Sequence, residues 1–75
     1  MRVFDLKEGQ TAVITGMDIE GGARERLNAL GVRVGESLEV LSFSLLKSSV
    51  LISCNAVRVG MRKSLAQKIE VQYEN

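Results

Sequence analysis

The chain has 75 residues, 45% of them hydrophobic, and ten basic side chains against nine acidic ones leave a formal charge of +1. A length of this order makes one domain and not two, residues 1–75 throughout, with a thin core. The charge balance gives no bulk argument for nucleic acid or anionic lipid. No apolar run approaches the ~20 residues of a membrane helix, and Met1-Arg2-Val3-Phe4-Asp5 lacks the apolar stretch of a secretory signal. A soluble, cytoplasmic protein is expected.

In chain order, Asp5 to Gln10 reads as a lead-in turn and Thr11 to Gly16, rich in β-branched residues, as a strand. Met17 to Gly21 connects it to the only convincing helix, about Gly22 to Leu30. There Ala23, Leu27 and Leu30 follow the i, i+4, i+7 spacing of a core-facing stripe, and Arg24, Glu25 and Asn28 should face water. Gly31 stands where a left-handed C-terminal cap is needed, and Gly35 where the next turn enters a strand. Leu38 to Phe43 is that strand, Ser44 to Ser49 a hairpin loop, and Val50 to Cys54 the returning strand. Asn55-Ala56 fits a tight turn, Ala56 to Arg62 alternates with period two, Ser64 caps one helical turn, and Lys68 to Tyr73 alternates again.

The order is strand, helix, then four strands. So many short strands in so short a chain leave free edges in an open sheet, and curling into a barrel removes them. The expected fold is mainly β: a small SH3-like barrel of about five strands with one short α-helix between the first and second.

Catalysis fails by inventory. The chain has no histidine and one cysteine, so it lacks the usual general base and cannot build a tetrahedral zinc site. Cys54, in an apolar run, reads as a buried small hydrophobe. Asp18 and Glu20 are too few for a calcium loop and read as a solvated turn before the helix. No catalytic, metal or cofactor residues are therefore assigned. Arg58 and Arg62 share strand parity and point to one side, but the aromatic platforms that bind single strands are scarce. Leu45-Leu46 is the remaining feature. An apolar pair in a loop marks a partner contact if exposed; a longer hairpin would bury one of the two.

With the elements placed, the chain resembles a known family. Leu6-x-x-Gly9, Ala12-Val13-Ile14, Gly16, Arg26-Leu27-x-x-Leu30-Gly31, Gly35, Leu38-x-Val40 and the ending Met61-Arg62-Lys63-Ser64-Leu65-Ala66 with Ile69 and Val71 are similar to the ferrous-iron transport protein A (FeoA) family. It departs from the family pattern at Val34 and at Leu45-Leu46-Lys47, where prolines are usual, and at Ser53 to Ala56, where a glycine is usual. The resemblance implies a non-catalytic cytoplasmic accessory of bacterial ferrous-iron uptake. Its partner would be the cytoplasmic, GTPase-containing part of the membrane transporter FeoB, met by protein–protein contact without membrane insertion. Two alternatives stay open: a metal-linked regulatory module related to the C-terminal domain of iron-dependent repressors, and a nucleic-acid-binding small barrel. The expected contact surface combines Arg24, Glu25 and Asn28 on the helix with Leu45 and Leu46 in the loop.

Overall fold

A computed structural model describes residues 1–74. It contains five strands, β1 (Thr11–Met17), β2 (Ser37–Phe43), β3 (Ser49–Cys54), β4 (Val57–Arg62) and β5 (Ile69–Tyr73), with helices α1 (Gly21–Ala29) and α2 (Lys63–Ala66) and short 3-10 turns at Val3–Asp5 and Leu45–Lys47. All pairings are antiparallel, in the order β4-β3-β2-β1-β5. Register shifts between Ile14 and Gly16 in β1 and between Val40 and Ser42 in β2 bend the sheet. The sheet curls as expected, yet its strand order runs from β4 to β5 without closing between them.

Alternation decides what the curl encloses. Ala12 and Ile14, Leu38 and Val40, Val50 and Ile52, Val59 and Met61, and Ile69 and Val71 all point inward and are buried. Val3, Leu6, Ile19, Leu27, Val32, Cys54 and Ala66 complete the core, and among the described residues no polar side chain is buried with them.

The helix-to-strand hinge works through a specific hydrogen-bond pattern. Gly31 takes φ +94°, its N–H donates to the Asn28 carbonyl at 3.0 Å, and the Val32 N–H donates to the Leu27 carbonyl at 2.9 Å. Those two bonds are a Schellman cap. The cap corrects the sequence reading of Leu30. The helix ends at Ala29, so Leu30 lies past the stripe and is 43% exposed, while the reversal inserts Val32 into the core in its place. Ser64 is also reassigned: the chain enters α2 at Lys63 with Arg62 in the capping position, so Ser64 lies inside the helix and makes no cap bond.

At the turns before β3 and before β4, non-glycine residues take left-handed backbone. Asn55 and Ala56 have φ of 52° and 65°, the pattern of a two-residue type I′ hairpin turn. The Asn55 side-chain amide donates to the Gly31 carbonyl at 3.2 Å and to Glu36 Oε2 at 2.7 Å, fastening this turn to the hinge.

A Cβ built on Gly31 would sit 3.1 Å from the Asn55 amide nitrogen as well as on positive φ. Gly31→Ala is therefore expected to destabilise the fold by about 1–3 kcal/mol. Urea unfolding should show the loss, and it should shrink when Asn55 is also changed to alanine.

Candidate protein-docking site

The β2–β3 connection is built around one serine. The Ser44 hydroxyl accepts the N–H groups of Ser48 and Ser49 at 3.1 and 2.9 Å. The Lys47 N–H donates to the Ser44 carbonyl at 2.8 Å, and the Ser44 N–H to the Ser49 carbonyl at 3.0 Å. The loop is closed on itself, so its tip needs nothing from the core. Leu45 and Leu46 form that tip and are each 91% exposed, which resolves the choice left open by the sequence. Leu46 and Lys47 have φ of 72° and 53°. Left-handed backbone at a non-glycine residue costs about 1–2 kcal/mol, and the exposed Leu46 side chain returns none of it by packing.

Beneath the tip lies an aromatic pair. Phe43 and Phe4 are half-buried, with ring centroids 5.0 Å apart and planes tilted by 47°. Lys47 Nζ lies 5.3 Å from the Phe43 ring and Lys63 Nζ 5.5 Å from the Phe4 ring, within cation–π range. Glu8 Oε2 accepts the Phe43 N–H at 3.1 Å, drawing the lead-in turn alongside. An open depression runs between Leu6–Glu8 and the leucine turn. The sequence showed the leucines but not this pairing of distant residues; the Ser44, Ser48, Ser49 spacing was the one signal for the clamped turn.

The helix residues of the expected surface lie elsewhere. Arg24 Nη1 donates to the carbonyls of Met17 and Ile19 at 3.2 and 3.4 Å, so it braces the β1–α1 connector. Glu25 is exposed and Asn28 half-buried. Gly31, which ends this helix, is bonded to Asn55 at one end of β3, whereas Leu45 and Leu46 precede the other end. Six strand residues separate the two ends, about 20 Å. The helix face and the leucine turn are thus two surfaces and not one.

Asp18 and Glu20 are exposed, and no cluster of three metal-ligating side chains occurs among the described residues. Arg58 and Arg62 are exposed on one face of β4 as expected. Tyr73, the one strongly exposed aromatic, lies on β5 at the opposite end of the strand order. No helix among the described residues is long and apolar enough to cross a membrane.

Comparison with known proteins gives the family and the fold. Residues 1–73 match the FeoA domain. The chain belongs to the FeoA family. A Methanocaldococcus jannaschii protein described as an Fe(2+) transport protein A is 30% identical over 66 residues, 88% of this chain and 78% of the relative. Among solved structures, the Chlorobium tepidum FeoA protein is 34% identical with a TM-score of 0.91, covering 97% of this chain and 70% of that one. IdeR of T. acidophilum has a TM-score of 0.83 at 20% identity, covering 99% of this chain and 34% of that one, a likeness of fold alone. The FeoA family is one of ferrous-iron transport proteins, and the SH3-like barrel read from the sequence is its fold.

The buried thiol of this FeoA chain is not a reactive group. Cys54 is 1% exposed, and its Sγ lies 3.2 Å from the Ser37 carbonyl and 3.5 Å from that of Gly31. Burial pushes its pKa up, the Glu36 carboxylate adds to this, and Arg33 partly offsets it. The folded thiol thus releases its proton at higher pH than the unfolded one. Its contribution to stability is intact below the ordinary value of 9.0 and is lost as pH rises past it. Subtracting the stability–pH curve of Cys54→Ala from that of the parent should isolate this decline, and a thiol reagent should label Cys54 only in denaturant. For the turn, Leu46→Gly should raise unfolding stability by about 0.5–1 kcal/mol through relief of the left-handed backbone.

Proposed function

We propose that this FeoA protein is a non-catalytic, cytoplasmic accessory of ferrous-iron uptake and acts by docking on the cytoplasmic GTPase-containing part of a FeoB-type transporter. The observation that carries this reading is the leucine turn. Two adjacent leucines are almost fully exposed on a loop whose backbone is held by Ser44 and is strained at Leu46. Two exposed leucines, one of them in left-handed backbone, add nothing to folding, which supports a use in contact. Burying one leucine against a partner is worth about 1.5–3 kcal/mol, enough for two of them to dominate a small interface. Phe43, Lys47 and the depression beside Leu6 form the surround in which such a partner would seat.

Arg24, Glu25 and Asn28 are a second, separate candidate surface, with Arg24 committed in part to holding the connector.

The double substitution Leu45→Ser, Leu46→Ser tests the reading. Association with the isolated cytoplasmic domain of the transporter, followed by titration calorimetry, should weaken at least tenfold, about 1.4 kcal/mol. The urea midpoint should stay within about 0.5 kcal/mol of the parent, as for other exposed substitutions. Unchanged affinity would remove the leucine turn from the interface.

A further inference from the structure

The two edges of the sheet are treated differently. Beyond β5, the N-terminal segment pairs with the strand: Arg2 bridges Glu70, the Val71 N–H donates to the Met1 carbonyl at 2.8 Å, and Arg2 Nη2 lies 3.3 Å from Glu70 Oε1. Beyond β4 no backbone follows. The two-residue turn makes Cys54 and Val57 a hydrogen-bonded pair, so Val57, Val59 and Met61 bond inward to β3. The Lys63 N–H, two residues on, donates to the Ser48 carbonyl at 2.9 Å and confirms the parity. The N–H and C=O groups of Arg58 and Gly60 and the N–H of Arg62 therefore point outward, and among the described residues none of these makes a backbone bond beyond the ladder, while the Arg62 carbonyl lies at the cap of α2.

An exposed edge is normally blunted by proline, a bulge or a charge aimed across it. The chain has no proline, the β3–β4 register runs from Ser49 to Cys54 without a shift, and the β4 side chains at 58, 60 and 62 stand on the solvent face. Gly60 sits at the centre of that face with nothing within 4 Å of a Cβ built there. A glycine inside a strand often marks close approach by another backbone. Arg58 and Arg62 flank it about 13 Å apart, exposed and without an ion pair or hydrogen bond to any described residue.

We propose that the open edge of β4 accepts an extended acidic segment of a partner protein as a sixth strand of the sheet. Main-chain bonds to Arg58, Gly60 and Arg62 supply the pairing, and acidic side chains four residues apart lie across from the two arginines. This surface is distinct from the leucine turn, and its test does not depend on the transporter.

The probe is the synthetic peptide Thr-Thr-Glu-Val-Ser-Val-Glu-Thr-Thr, which reads the same in both directions and so presupposes no strand polarity. Added to the 15N-labelled chain, it should shift the amide signals of Arg58, Gly60 and Arg62 saturably and slow their hydrogen exchange. Replacing both glutamates by lysine should weaken binding about tenfold or more, and Arg58→Glu with Arg62→Glu should reverse that preference. Gly60→Pro removes the central outward N–H and should also weaken binding about tenfold, while Gly60→Ala, which keeps it, should bind like the parent. The charge-reversed variant keeps the test decisive if the proline variant fails to fold. Equal affinity for the lysine peptide, shifts confined to Leu45 and Leu46, or no saturable shift at millimolar peptide would each overturn the proposal. So would concentration-dependent shifts at the same amides without peptide, which would place a second copy of the chain at this edge.

Discussion

Alternate side chains from all five strands must meet inside the curled sheet and fill it with apolar groups. Among the described residues no polar or charged side chain is buried in the core, so beyond the backbone ladder and the Cys54 thiol the interior is held by packing. In a short chain each such residue carries a larger share of stability than in a long one. Val32 shows how tight the constraint is. It lies outside any strand or long helix, yet it is fully buried, because the Schellman cap throws it inward at the point where α1 ends.

That constraint explains what could be read from residues alone. The strand pattern was legible because period-two alternation is the same signal whether seen in sequence or in burial, as in Ile69-Glu70-Val71-Gln72. The hinge was legible because only glycine takes Gly31's conformation cheaply. Leu30 was misread because helical spacing was extended one residue past the cap, and Ser64 because a capping residue type outweighed the backbone around Arg62 and Lys63. Of the candidate site, the leucines were visible but their exposure was not, since burial of a loop residue depends on contacts distant in sequence. The Phe4–Phe43 pair and the separation of the helix face from the leucine turn are likewise long-range facts.

Strain is distributed unevenly. This chain places the non-glycine residues Leu46, Lys47, Asn55 and Ala56 in left-handed backbone. At Asn55 the side chain offsets the cost through bonds to Gly31 and Glu36. At Leu46 the side chain makes no such bond. The edges of the sheet show a parallel asymmetry, β5 being covered by the N-terminal segment and β4 left bare.

The Ser44 clamp has an evolutionary consequence. Because the loop closes through its own serine and main-chain bonds, the identities of residues 45 and 46 are uncoupled from the interior. Substitutions at the tip are therefore expected to leave the scaffold unchanged, and were the tip the proposed contact, drift there would alter partner choice without a cost in foldability.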